Sequence, residues 1–296
     1  MSLLLTLLPL LMQAGPYSFP GTGAAPNVPR VEGRDTPRRK PTAPPLFLPP
    51  PIRIAGQTCQ DLLEAPAAEA VETARERAAA AKADTIASAQ GCLGMAQSRL
   101  AAWDEAEAAF VTAREAAGED KAAQANYGAM AGNAALAGGH ADRALIAFDR
   151  AKADAEPLGD RVVSGEIALD RVRALVALRR TAEAREALDF VLASLTGNSD
   201  AWLLSATLYR REKQYGPAQR QIEKAAAINN ADPAIALEAG VIAMLAGREA
   251  DARKSWQSAI TVAPGSDEAA QAKDYLRQIG AAPAGPAAAP APASGR

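Results

Sequence analysis

The sequence predicts an all-α protein, an α-solenoid of about five helix–turn–helix repeats with a capping helix and disordered termini. Three observations predict it. One residue in four is alanine (74 of 296), while aromatic residues make up only 4%, a balance that suits closely packed helices better than a sandwich or barrel. Of 21 prolines, 12 fall in 1–51, 4 in 281–296 and 5 in the long middle, so helix breakers are swept to the ends. The middle repeats itself at a fixed period. At 30.6 kDa the chain is long enough for one large or two ordinary domains with a proper core.

Residues 3–12, LLLTLLPLLM, form an apolar run too short to span a bilayer. The small-residue stretch Met12-Gln13-Ala14 before Gly15 reads as a cleavage site, so 1–14 is expected to be a secretory signal and the chain to be exported to a bacterial periplasm. This signal lacks Lys and Arg and is interrupted by Pro9, and the alternative is a misread start and a cytoplasmic protein. No Cys follows to take a lipid anchor, and Arg38-Arg39 lies on the wrong side of the apolar run for a twin-arginine signal.

Residues 15–54 read as a Pro-rich, basic, disordered linker. They carry six basic and two acidic residues, densest at Arg38-Arg39-Lys40, so +4 sits here and the rest of the chain holds −6 of the total −2. Such a run is most simply solvated. The tail 281–296 is Pro/Ala low complexity. Cys59 and Cys92 form a possible disulfide, an easy pairing in an oxidising compartment. It would close a loop of about 34 residues, worth on the order of 3–4 kcal/mol. Two buried free thiols are the alternative.

From 87 to 266 the same pattern recurs. Gly94, Ala106, Phe110 and Ala113 are followed in phase by Gly132, Ala144, Phe148 and Ala151. Val172, Ala184, Leu188 and Val191 come next, then Ala206, Ala218, Ile222 and Ala225, then Gly240, Ala252, Trp256 and Ala259. Spacing within every unit is 12, 4 and 3, and the last three units follow one another at 34. Small residues at positions 8, 20 and 27 let two antiparallel helices approach closely, and the large residue at position 24 is expected to fill the space between units. The units are 87–120, 125–158, 165–198, 199–232 and 233–266, preceded by an N-terminal helical segment (55–86) and followed by a capping helix (267–280). Pro157, Pro233 and Pro264 mark unit ends.

That period and pattern resemble the tetratricopeptide repeat, a 34-residue helix–turn–helix unit. The third unit departs most, with Arg171-Val172 where Leu-Gly is usual. The resemblance implies a right-handed superhelix whose first helices line a concave, peptide-binding groove. Carried onto this sequence, the groove positions include Arg99, Asn126, Asn133, Arg173, Thr207 and Arg210. Asn126 and Asn133 lie seven apart and share a face. Asn133 occupies the place of the Asn with which relatives clamp acidic carboxyl-terminal peptides, although the flanking lysines are absent. The three arginines suit bidentate pairing with carboxylates, and ordinary solvated helix faces are the alternative reading. The fifth unit's face (Leu237, Val241, Met244, Leu245) is apolar and could equally pack on the capping helix.

Little else carries chemistry. His140 is the single histidine and sits in the turn Gly138-Gly139-His140. No GxSxG, HExxH or P-loop pattern occurs, so no catalytic residue, metal site or cofactor is expected. The acidic helical region disfavours nucleic acid. The expected function is an interaction scaffold that holds a protein or peptide ligand in the groove, with no integral membrane segment. A cytoplasmic adaptor or co-chaperone is the alternative, and a regulatory subunit of an enzyme complex a third.

Overall fold

The computed structural model describes residues 53–54 and 57–280. The expected signal 1–14, most of the linker 15–54 and the tail 281–296 lie outside the described residues. Among those described, thirteen α-helices follow one another. Helices α1 (Gln60–Glu64) and α2 (Ala67–Ala80) precede five antiparallel pairs. These are α3 (Ile86–Arg99) with α4 (Trp103–Ala116), and α5 (Lys121–Ala137) with α6 (Ala141–Ala155). The third pair is α7 (Arg161–Ala177) with α8 (Thr181–Ser194), and the fourth α9 (Ser199–Arg211) with α10 (Tyr215–Ile228). Helices α11 (Pro233–Leu245) and α12 (Glu249–Val262) form the fifth, and α13 (Asp267–Gln278) closes the stack. The all-α solenoid expected from the repeat is what forms.

The end of the linker is a correction. Arg53–Ile54 (β1) pairs antiparallel with Gln57–Thr58 (β2), Arg53 opposite Thr58. Between Pro51 and Pro66 no proline intervenes, so every backbone N–H there is free to enter a ladder.

The two kinds of helix begin differently. Four first helices and the closing helix start on side-chain caps. Asp120, Asp160, Asn198, Asp232 and Ser266 each accept a hydrogen bond from a backbone N–H in the first turn, each worth about 1 kcal/mol. The second helices α4, α6, α8, α10 and α12 have no such cap. Each is entered from a turn in which position 15 of the unit is left-handed. The residues are Ala101 (φ 56), Gly139 (86), Arg179 (59), Lys213 (61) and Gly247 (76). In each turn the next N–H reaches back five residues, as Ala102 to the Gln97 carbonyl and Arg248 to the Ala243 carbonyl. This is the Schellman closure of the first helix.

Within each pair, positions 8 and 24 meet. A Cβ added to Gly94 would lie 2.6 Å from the Phe110 ring, and one on Gly132 2.5 Å from the Phe148 ring. Gly240 lies beneath the Trp256 indole in the same way. The large residue therefore covers its own unit's small position rather than only filling the gap between units. Val172 packs in one cluster with Leu188, and Ala206 in one with Ile222. A branched aliphatic needs less depth than a ring, which is why the third unit tolerates Val where others have Gly. Between units, buried Asp154 on α6 accepts from Arg114 Nη2 (2.6 Å) on α4 and Lys121 Nζ (3.2 Å) on α5.

Both ends of the stack are closed by the chain itself. The disulfide Cys59–Cys92 ties the start of α1 to α3. At the other end α13 lays Tyr275 against Trp256, ring centroids 5.0 Å apart, and Leu276 and Ile279 pack with Val241 and Met244. Arg253 on α12 donates to the Ile279 and Gly280 carbonyls.

Candidate functional site

The first helices α3, α5, α7, α9 and α11 form one face of the stack, and the groove positions sort along it into three regions. At the amino-terminal end Arg99 donates to the Leu62 carbonyl (2.9 Å) and the Ala65 carbonyl (2.9 Å). Met95 is buried in one cluster with Cys59 and Leu62. This end of the face holds the chain's own 59–65 segment, so Arg99 is a structural clasp here. At the other end Val241 and Met244 are buried beneath α13, which resolves the fifth unit's apolar face in favour of the capping helix.

The middle is different. Asn126, Glu166, Arg173, Asp200, Thr207 and Arg210 are all half-buried, as side chains lining a concave wall are. A chain of polar contacts runs across the repeats. Asn133 Nδ2 donates to Asp170 Oδ2 (2.8 Å). Arg173 pairs with the other oxygen of Asp170 and donates to Asp200 Oδ2 (3.3 Å). One unit on, Arg210 donates to Glu238 Oε1 (2.6 Å). Arg173 and Arg210 are thus engaged by carboxylates of their own chain, and the expectation that they stand ready for a ligand's carboxylates does not describe this state.

Asn133 is 5% exposed, and its Oδ1 is buried with no donor. Asn126 Oδ1 is also buried and undonated. Burial pushes the Glu166 carboxyl above its usual range, the Asp170 charge adds to this, and the Arg173 charge and the Asn198 amide offset part of it. The structure therefore brings Asn133 and Arg173 together through Asp170, keeps Arg210 in a separate pair, and leaves Thr207 half-buried beyond them.

Sequence reasoning passed over Asp170 and Glu238, which organise this wall. Both stand at position 6 of their units. The signal available was an acidic residue at that place following a polar residue at position 9 or 12 of the unit before.

A second feature lies away from this wall, between α4 and α6. Asp104, Glu107, Ala108, Val111, His140 and Arg143 line an open cleft of about 430 Å³. His140 Nε2 is 3.3 Å from Asp104 Oδ1, and Arg143 pairs with both Asp104 and Glu107. Burial raises the Glu107 carboxyl, with the Arg143 charge acting against it. The two carboxylates share one guanidinium, which makes this a satisfied surface network joining two second helices. Among the described residues no group of His, Cys, Asp and Glu is placed to hold a metal, and no helix is long and apolar enough to cross a membrane.

No protein-family model and no curated protein matches the chain. Solved structures do. BtubC (BKLC) from P. vanneervenii is 17% identical with a TM-score of 0.57, over 78% of this chain and 95% of that one. PilW, a type IV pilus biogenesis factor, is 16% identical with a TM-score of 0.57, over 69% and 90%. PilF from Pseudomonas aeruginosa is 16% identical with a TM-score of 0.54, over 71% and 90%. At these identities the likeness is one of fold. Five in-phase units, the repeated left-handed turn and these neighbours together give the chain the tetratricopeptide-repeat fold.

Proposed function

We propose that this protein is an exported interaction scaffold that holds an extended peptide segment of a partner protein along the wall formed by α5, α7, α9 and α11. The observation that carries the reading is the contrast along one face. Its two ends are filled by the chain's own α1 and α13, while the middle keeps half-buried polar side chains that none of the chain's own elements covers. An extended peptide offers a backbone donor and acceptor at every residue, which is what such a wall can satisfy. A bond between Cys59 and Cys92 supports an oxidising compartment, and one fold neighbour is a pilus biogenesis factor.

A photo-cross-linking side chain placed at Thr207, compared with one at exposed Glu183 on α8, tests the groove in living cells. Adducts confined to the Thr207 variant are expected. Adducts from Glu183 alone move the site to the second helices. Export is tested separately by the intact mass of the protein taken from its own cells without reductant. A chain beginning near Gly15 and lighter by about 2 Da is expected. A full-length chain with two thiols places it in the cytosol as an adaptor.

A further inference from the structure

We propose that the wall between α7 and α9 takes a cationic side chain, so that the peptide bound by this groove is basic, carrying arginine or lysine, and comes from a partner protein. This rests on the groove reading above and adds the chemistry of the ligand.

The side-chain atoms left without a partner along this wall, Asn126 Oδ1 and Asn133 Oδ1, are both acceptors, and the carboxylates beside them have spare acceptor capacity. Glu166 and Asp170 on α7 and Asp200 at the start of α9 bring three carboxylates together, and one cation among them, Arg173, serves two. Each carboxylate can accept several hydrogen bonds, and Arg173 cannot fill them all. The like charges act on one another, since Asp170 and Asp200 both disfavour the ionised form of Glu166. Independently of the carboxylates, Asn133 donates its N–H to Asp170 and leaves its neighbouring Oδ1, on the same buried amide, without a donor. Asn126, two turns earlier on α5, has the same deficit. A buried acceptor left unmet costs about 1–3 kcal/mol, and a guanidinium brings five donors in a planar fork.

The three carboxylates stand where α7 meets α9. That joint is bridged on the groove side by Arg173 to Asp200. Arg185 on α8 also ties onto α9, pairing with Glu212 (2.6 Å) and lying 4.0 Å over the Tyr209 ring. A cation entering between Glu166 and Asp200 meets carboxylates from both helices. A carboxylate-bearing peptide meets three like charges there, because the arginines that would welcome it are already paired.

The test uses the full chain and two fluorescein-labelled peptides, GARAGARAG and GAEAGAEAG, followed by fluorescence anisotropy at low salt. The arginine peptide is expected to bind and the glutamate peptide not to. Replacing Glu166→Gln and Asp200→Asn together, nearly isosteric changes at half-buried sites, is expected to weaken the arginine peptide at least about tenfold. Glu183→Gln with Glu223→Gln, the same charge change on exposed second-helix surface, is expected to leave it unchanged. An equal loss from both double variants means general electrostatic attraction and overturns the site. Preferential binding of the glutamate peptide overturns the chemistry. Tighter binding after Arg38→Ala, Arg39→Ala and Lys40→Ala together means that the chain's own basic segment competes for the place, which overturns the assignment to a partner. Failure of both peptides to bind while Thr207 still cross-links a partner overturns the cationic specificity and leaves the groove reading standing.

Discussion

Gly240 lies directly beneath the indole of Trp256, so close that no Cβ fits between them, and the indole N–H donates to the Leu237 carbonyl on the same helix. The contact joins position 8 to position 24 of one unit and sets the depth of the pair. Gly240→Ala is expected to cost about 1–3 kcal/mol through overpacking. Adding Trp256→Ile, which copies the Ala206–Ile222 pair of the fourth unit, is expected to make the double variant more stable than the sum of the single changes predicts. Gly265→Ala, with nothing within 4 Å, serves as control. Additivity in a urea-unfolding cycle would show that the pair does not act through this contact.

The left-handed turn at position 15 predicts a gain. Arg179 and Lys213 hold φ near +60 with side chains present, a conformation costing about 1–3 kcal/mol for a non-glycine residue. Glycine removes that strain but loses more entropy on folding. The net expectation is that Arg179→Gly and Lys213→Gly each stabilise by about 0.5–1 kcal/mol. Gly139→Ala and Gly247→Ala, at the same position of their units, should destabilise by a similar amount. Thermal melts of the four variants check the sign; stabilisation by alanine at 139 or 247 would contradict it.

These turns mark the limit of what the sequence discloses. The phase of the repeat is legible because positions 8, 20 and 27 carry Gly or Ala in four of the five units, as close backbone approach favours, and the third keeps the same spacing with Val172 and Val191. Position 15 is not legible, since Ala101, Arg179 and Lys213 give no sign of a left-handed backbone. The turn is closed by the Schellman hydrogen bonds of the helix before it rather than by glycine. The groove was half legible. Its positions follow from the repeat, and so do Asn133 and Arg173 as members of it. Which charges remain available does not, because Arg173 and Arg210 are met by Asp200 and Glu238, 27 and 28 residues further along the chain. A helical pattern reports which face a residue occupies and is silent on what the next repeat places opposite.

The bond between Cys59 and Cys92 spans 33 residues of sequence and anchors α1, a single turn with little helical stability of its own. In the chain-entropy model its removal costs about 3–4 kcal/mol. Cys59→Ser with Cys92→Ser is expected to lower the unfolding midpoint and to speed amide exchange in 60–65, with α9 to α13 unaffected because a solenoid transmits stability mainly between neighbours. Arg99→Ala should loosen the same segment by removing the donors to Leu62 and Ala65. Unchanged exchange in both variants would show that the hydrophobic contacts of Leu62 hold α1 unaided.

Glu166 gives the pH dependence of the wall. Burial, first, and the Asp170 charge hold its carboxyl above the ordinary 4.5, so the folded chain keeps this proton to a higher pH than the unfolded chain does. The ionised form is the one the fold disfavours. The penalty is absent below 4.5 and appears as pH rises through the folded-state value. Glu166→Gln keeps this place neutral at every pH and so removes the penalty only where the parent carboxyl is ionised. The variant is therefore expected to unfold at a higher temperature than the parent at pH 7, with the difference shrinking as pH falls below 4.5. A carboxyl carbon titration followed by NMR should place the Glu166 midpoint above that of exposed Glu223. Addition of GARAGARAG should draw that midpoint down, because a cation beside the carboxylate favours its ionised form. A midpoint that does not respond to the peptide would separate Glu166 from the place where the ligand's charge lies.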